Sequence, residues 1–491
     1  EFKKKLAKID VTPVKLKIWK DVCFVTFRND EEKKAAMQKI NGLNWRGCNL
    51  TATVARPAAD PLVRKRKQGG DGDVEGEKKS RMNDDDLSPE ERLKNSVTPL
   101  WKMEYKEQLR SKTDEMLAFF KRYHRQLEKN CSDLKSWLRD MRHKHGAIPC
   151  ELLPILPSPE QDGYRNKCEF TIGPGVGESS PSVVGFRYGT YAQGTVSVGS
   201  AAEVAFLPQQ MKALLKLFQG YLDQSPYPAF NPETHEGYWR QLTVRTSRLA
   251  HLMVMVDFHP QSLTQETLNK VKENLRQFLS ESDGKDVTVT SCYFRAHTDK
   301  TTCSDAPFEH LFGDKSITES LLGLKFQISP SAFFQVNTAG AEVLYQTVAD
   351  WCGPSNSTTV LDICCGTGTI GLTVAKRVSK VIGVEMCSQA VEDAKTNAQL
   401  NGVTNVEYHC AKAEDIIKEV TRSVHGSDEV VAIVDPPRSG LHSSVIVSIR
   451  NCRNIKRLVY VSCNMNGAMN NFIDLVRPTS KRLTGSRFLP I

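Results

Sequence analysis

Residues 360–371, VLDICCGTGTIG, constrain this chain more than any other stretch. A short apolar strand runs into a glycine-rich turn, and a helix follows from near Ile370. Gly366, Gly368 and Gly371 fit G-x-G-x-x-G. Glycines let such a turn be tight and bring backbone N–H groups against a ligand at a helix N-terminus. Alone, the pattern is shared by dinucleotide sites, by S-adenosylmethionine sites and by plain close packing of a helix on a strand.

The residues that follow extend the pattern to an α/β fold. A second strand, VIGVE at 381–385, ends in Glu385, where a carboxylate can accept both ribose hydroxyls of a nucleoside. The helix expected over 389–401 turns Ala390, Ala394, Ala398 and Leu400 toward the sheet, and Gly402 closes it. A third strand over 430–437, VVAIVDPP, runs into Arg438, and a fourth, RLVYVS at 457–462, runs into Cys463 and Asn464. Ligands of parallel sheets bind outside the carboxyl ends of the strands, so the Cys463 thiol is expected at the mouth of the cofactor cleft.

Residues 360–471, with DPPR and the strand-end cysteine, resemble the RNA uracil-5-methyltransferases that use S-adenosylmethionine. The resemblance extends upstream through YRNKCEF (164–170), VGFR (184–187) and ISPSAFFQVN (328–337). It implies a Rossmann-like S-adenosylmethionine-dependent methyltransferase domain over 328–491 and a β-rich central domain over 149–327 that grips RNA. Carried onto matching positions, it implies that Gln335, Asp362, Gly366, Gly368, Glu385 and Asp435 hold the cofactor. Phe333 would border the target uracil, with Gln335, Arg438 and Asn464 also at the substrate. Arg165, Lys167 and Arg187 are phosphate-contact candidates.

The chemistry implied for Cys463 follows from the weak nucleophilicity of uracil carbon 5. A thiolate added at carbon 6 makes carbon 5 an enolate carbon able to accept a methyl group. A base then removes the carbon 5 proton and the thiolate leaves. In the family that base is a glutamate in a C-terminal H-x-E-type segment, and 464–491 holds no such motif. The expectation is therefore a chain trimmed at both ends that forms the covalent adduct but releases product poorly, and no general base is named. Cys364 and Cys365, in the glycine turn, read as packing residues.

The resemblance points to the T-loop uridine of tRNA, with ribosomal RNA as runner-up. A dinucleotide oxidoreductase would explain neither Cys463 nor DPPR. Enzymes that methylate exocyclic amines carry an aromatic where Arg438 stands, and a cytosine-5 enzyme shares the thiolate logic. An RNA-binding or RNA-folding protein with minor methylating activity stays open as the alternative from another class.

Length suggests about three domains, and the net charge of +9 is uneven. Residues 1–68 hold 17 Lys and Arg against 7 Asp and Glu. There, a helix over 2–9, strands over 14–19 and 22–27, a helix over 30–40 and a strand over 49–55 resemble an RNA recognition motif (α+β, residues 1–62) without its first strand. KDVCFVTF at 20–27 takes the place of the RNA-contacting signature, with Phe24 as its one stacking aromatic. Binding of protein instead of RNA stays open.

A basic and acidic linker, 63–87, contains RKRK at 64–67 and is expected to be disordered over 68–86. A helical segment over 88–148 opens with Ser88 as N-cap before Pro89. A second helix is expected from Thr98-Pro99 to about Lys129. Leu109, Met116, Phe120, Tyr123 and Leu127 mark its packed side, and Lys102, Lys106, Arg110, Lys112, Lys121, Arg122 and Arg125 its outer face. Farther on, strands 238–245 and 249–258 read as a hairpin, with helices over 268–278 and 339–351.

No apolar run reaches the roughly 18 residues of a membrane span, and no signal peptide is evident, so the cytosol or nucleus is the expected location. The 14 cysteines are scattered without a C-x-x-C, and His297, Cys303 and His310 lack ligand spacing. Neither an iron–sulfur cluster nor zinc is expected.

Overall fold

The computed structural model describes residues 15–19, 22–26, 30–45, 48–53, 87–175, 182–189, 196–281, 287–299, 306–423 and 429–491, with 6, 9 and 11. The chain divides into two compact units, residues 1–75 and 76–491.

In the first unit, β1 (Lys15–Trp19) pairs antiparallel with β2 (Val22–Thr26), which sets Phe24 opposite Lys17. Helix α1 (Asp30–Ile40) follows, then a two-residue hairpin of β3 (Asn44–Trp45) and β4 (Cys48–Asn49). Leu6, Val11, Ala36 and Ile40 form its small core. The strand expected over 49–55 is shorter. Leu50 still exchanges backbone bonds with Leu43 and Gly42, but 51–53 carry no ladder because β3 offers no more residues to pair with. Most of the expected first helix and all of the linker at 68–86 lie outside the described residues.

The second unit opens with α2 (Pro89–Val97), whose N-cap Ser88 Oγ accepts the Glu91 N–H at 3.2 Å. No helix starts at Thr98. Its N–H and Oγ both donate to Lys94 O to end α2, since a residue before proline is disfavoured in the helical region. Helix α3 (Tyr105–Asn130) begins only after a turn, and α4 (Lys135–His145) follows it.

The central sheet has seven strands in the order β11-β10-β9-β8-β5-β6-β7. They are β5 (Lys167–Gly173), β6 (Val183–Arg187), β7 (Val198–Ser200), β8 (Trp239–Thr246), β9 (Leu252–Phe258), β10 (Ser291–Ala296) and β11 (Glu309–Gly313). Strand alternation explains why β9 reads as unbroken LMVMV. Leu252, Val254 and Val256 join the core formed with α5 (Gln209–Gln224) and α6 (Gln265–Ser280). Met253 and Met255 face the other way and join the core of the C-terminal domain.

That second core includes a hairpin, β12 (Ile317–Leu321) and β13 (Leu324–Ile328), turned through Leu322 and Gly323 with positive φ. The expected domain boundary at 327/328 assigns the hairpin to the central domain. Its Ile317, Leu321, Leu324 and Phe326 instead pack with Val360, Ile370 and Val381, so it shares the core of the C-terminal sheet. Helix α7 (Thr338–Trp351) then leads into a five-stranded parallel sheet ordered β16-β15-β14-β17-β18. Its strands are β14 (Thr358–Ile363), β15 (Lys380–Glu385), β16 (Val406–Cys410), β17 (Glu429–Val434) and β18 (Ile455–Tyr460).

The sheet's helices are α8 (Thr369–Ala375), α9 (Ser388–Leu400), α10 (Ala413–Ser423), α11 (Ser443–Asn451) and α12 (Met465–Val476). On α9, Val391, Ala394, Asn397 and Ala398 face inward, while Leu400 is exposed, contrary to expectation. Two residues past Ala398 is about 200° around a helix, which turns Leu400 to the outside. Gly402 takes the positive φ of a helix-ending residue, as expected. Helices α3 and α4 pack Phe119, Tyr123, Leu127 and Leu138 against Ile473 and Val476 of α12, and Tyr123 Oη donates to Phe472 O at 3.0 Å. The helical segment thus buttresses the helix that begins just after Cys463.

Candidate active site

Strand order reverses between β14 and β17, so the loops leaving β14, β15, β17 and β18 converge around one crevice. The first is the glycine turn. Gly366 and Gly368 adopt φ of +55° and +77°, and Gly368 caps α8. A Cβ on Gly368 would stand 2.6 Å from the Tyr408 hydroxyl. The second loop brings Glu385 back onto the turn. One oxygen accepts Gly366 N–H at 3.1 Å, and the other accepts Met386 and Cys387 N–H at 2.8 and 2.9 Å. A carboxylate offers about four lone-pair positions, so with these three bonds made roughly one remains, enough for a single ribose hydroxyl where two were expected.

Asp362 does not face the crevice. It is buried, and its Oδ2 accepts Gly371 N–H at 2.9 Å, so it holds the turn from behind. Its Oδ1 has no hydrogen-bond partner. Burial pushes its carboxyl up to about 7, a rise to which Asp435 and Glu385 add. Asp435, at the end of β17, is likewise raised by burial. Burial also lifts Cys364 to about 12 and Cys365 well above the ordinary thiol value, which fits both as packing residues.

Cys463 is exposed in the fourth loop, directly before α12. The neighbouring loop is drawn close to it. Asn464 caps α12 by accepting Gly467 N–H at 3.2 Å, and its Nδ2 donates to Arg438 O at 3.2 Å. Asn471 Oδ1 accepts Leu441 N–H and the Tyr460 hydroxyl at 2.6 and 2.8 Å. Expected at the substrate, Asn464 has both ends of its amide engaged in tying DPPR to the cysteine loop. The Arg438 side chain is exposed beside it.

The fifth contributor is the loop before α7. Phe333 is 69% exposed while Phe334 is buried. The Gln335 side chain lies against the buried Tyr345 hydroxyl, which also senses the charges of Asp435 and Asp362. Arg165 and Lys167 line a cavity of about 1400 Å3 together with Trp101, Tyr105 and Phe333. Neither cation is free of protein contacts. Arg165 Nε donates to Lys167 O and Lys167 Nζ pairs with Glu169 at 3.1 Å. Arg187, half-buried at the end of β6, does not line this cavity. Phe24 belongs to the first unit.

Sequence reasoning missed Tyr345, Tyr408, Asn166 and Glu319. All are buried or half-buried supports that no local motif marks; the only signal was Asn166 standing inside YRNKCEF. Among the described residues no cluster of metal-binding side chains is present, and no helix is long and apolar enough to cross a membrane.

The donor set discriminates among cofactors. Glu385 and Asp435 place carboxyl groups at the crevice, which opposes a pyrophosphate and suits a nucleoside that carries positive charge. Fold and site therefore define a Rossmann-like α/β protein with a nucleoside-cofactor crevice and a thiol at its rim. Residues 316–482 match the tRNA (Uracil-5-)-methyltransferase family. The chain is 43% identical over 490 residues to human tRNA (uracil-5-)-methyltransferase homolog A, covering 99% of this chain and 76% of that protein. It is 41% identical over 424 residues to human homolog B, covering 85% and 83%.

Among solved structures it resembles Pyrococcus abyssi tRNA (uracil-54, C5)-methyltransferase in complex with S-adenosyl-L-homocysteine. That likeness has a TM-score of 0.51 and 23% identity, over 69% of this chain and 75% of that one, and concerns the fold. The chain belongs to the tRNA (uracil-5-)-methyltransferase family.

Proposed function

We propose that this chain methylates carbon 5 of a uridine in tRNA, with S-adenosylmethionine as donor and Cys463 as covalent nucleophile. The observation that carries the reading is the convergence of the exposed Cys463 loop with the carboxylate-ringed glycine turn at one end of a parallel sheet. The cofactor supplies an electrophilic methyl group on a sulfonium. The Glu385 carboxylate, at the glycine turn, holds its nucleoside, and the carboxyl of Asp435 at the end of β17 favours its positive charge.

The Cys463 thiolate adds to uracil carbon 6, which makes carbon 5 the nucleophile. After methyl transfer, the carbon 5 proton leaves to a base and the thiolate is expelled. No residue is assigned to that proton. Gln335, with a donor and an acceptor, reads the base edge, and Phe333 stacks on the extruded uracil. Arg165 and Lys167 contact phosphates from the neighbouring cavity, with Arg187 farther along the sheet. The T-loop uridine is the proposed target, since an unpaired loop base leaves its stack at low cost.

In the first unit, the strand–strand–helix order and the basic surplus support a reduced RNA recognition motif in which Phe24 stacks one base. The cytosol or nucleus is the proposed location. The test is to incubate the chain, in excess, with a tRNA transcript and methyl-labelled S-adenosylmethionine, then analyse the nucleosides. Label in 5-methyluridine is expected; tight tRNA binding with no label, or label on another atom, overturns the reading.

A further inference from the structure

The loop carrying Phe333 and Gln335 has no strand or helix of its own, yet it must hold both side chains at the crevice. Its backbone hangs from the edge of the central sheet. Asn166, just ahead of β5, donates its own N–H to Val336 O at 2.8 Å and its side-chain Nδ2 to Gln335 O at 2.9 Å. The same Nδ2 donates to Thr338 Oγ1 at 3.0 Å. Thr338, the first residue of α7, donates its hydroxyl hydrogen bond to Glu319 Oε2 at 3.0 Å. Glu319 is buried on β12, and its other oxygen accepts Arg248 and Ser320 N–H at 3.1 and 2.8 Å. Arg245 adds a bond to Ala332 O at 3.0 Å.

Asn166, Thr338 and Glu319 are buried, and they stand on separate elements, ahead of β5, at the start of α7 and on β12. Asn166 Oδ1 has no hydrogen-bond partner. A buried acceptor left unpaired opposes stability, so packing alone does not account for an asparagine here. What the side chain provides is two directed donors, one on the main chain of Gln335 and one on the helix start behind it.

We propose that Asn166, through Thr338 and Glu319, is a positioning residue for the uracil-reading loop, which couples the central sheet to the methyl-transfer site. The inference rests on the methylation reading above. Its effect falls on the rate of the bound complex, because its side-chain bonds go to the main chain of Gln335 and to Thr338, and none goes to Glu385, the glycine turn or the neighbouring Arg165 and Lys167 side chains.

The experiment follows formation of the covalent complex with tRNA containing 5-fluorouridine, at saturating tRNA and S-adenosylmethionine, and measures each affinity separately by titration. Asn166→Ala and Thr338→Val are expected to slow adduct formation tenfold or more with both affinities within about threefold of the parent. Thr338→Ser, which keeps the hydroxyl, is expected to restore the rate to within about twofold. An unchanged rate in Asn166→Ala, a loss confined to affinity, or an equal loss in Thr338→Ser overturns the proposal. If Asn166→Ala fails to fold, the contrast between the two Thr338 variants decides.

If the parent forms no complex, the methylation reading falls, and amide hydrogen exchange over 331–337 still judges the coupling. Exchange there is expected to quicken about tenfold in Thr338→Val while the middle of α7 is unchanged; no change refutes it.

Discussion

Asp362→Asn tests the reading of Asp362 as a buried carboxyl that holds the glycine turn from behind. Burial raises this carboxyl from 3.8 to about 7 in the folded chain. The folded state therefore binds the proton more tightly than the unfolded state, and ionising Asp362 works against folding. The penalty is absent below about pH 4, grows as pH rises, and is complete above about pH 7. Its full size is the shift multiplied by 1.36 kcal/mol per unit, or about 4 kcal/mol. Asparagine keeps an oxygen to accept Gly371 N–H but cannot ionise. Its Nδ2, where Oδ1 now lacks a partner, can impose a penalty of roughly 1–3 kcal/mol that does not vary with pH.

The assay is urea unfolding of both proteins, without cofactor, from pH 4 to pH 8. The variant's stability relative to the parent should rise by about 4 kcal/mol across that window. A stability difference that stays flat with pH would refute the claim that Asp362 is a buried, strained carboxylate.

Gly368→Ala forces a left-handed conformation costing roughly 1–2 kcal/mol and drives a methyl group against Tyr408, so calorimetric titration should show cofactor affinity at least tenfold weaker. Phe333→Ala removes a largely exposed ring; its thermal midpoint should match the parent, while RNA affinity measured by filter binding drops by the roughly 1–3 kcal/mol of a lost base stack. Tyr123→Phe deletes the bond to Phe472 O and should cost about 1 kcal/mol in urea unfolding, with slower adduct formation only if α12 shifts.

Four of the five strands of the parallel sheet were legible because each is short, apolar and followed by a residue with chemistry: glycine turn, glutamate, DPPR, cysteine; the edge strand β16, VEYHC, is mostly polar and was not read from the sequence. Strand β9 was legible as a strand, but its second buried face was not, because an unbroken apolar run does not say what covers each side. The hairpin at 317–328 was placed on the wrong side of the boundary for the same reason: its alternation is identical whichever core it joins. Thr98-Pro99 looked like a helix start, and only the two bonds to Lys94 O reveal a helix end.

At the site, the residues that offer chemistry to a ligand carried local motifs, whereas those that hold them did not. Glu319, Thr338 and Asn166 meet through separations of 19 and 172 residues, which no periodicity encodes. Asn464 shows the converse: a polar residue beside a nucleophile suggests a ligand contact, yet the helix that starts there needs a cap.

The most direct measurement mixes the chain with 5-fluorouridine tRNA and S-adenosylmethionine and looks for a complex that survives denaturation, with Cys463→Ala in parallel. Fluorine at carbon 5 cannot leave as a proton, so the adduct is trapped after methyl transfer. The account predicts a stable complex, carrying the donor methyl, with the parent and none with Cys463→Ala. A complex that persists in the variant would place the nucleophile elsewhere, and no complex with either, despite tight tRNA binding, would contradict covalent catalysis by this chain.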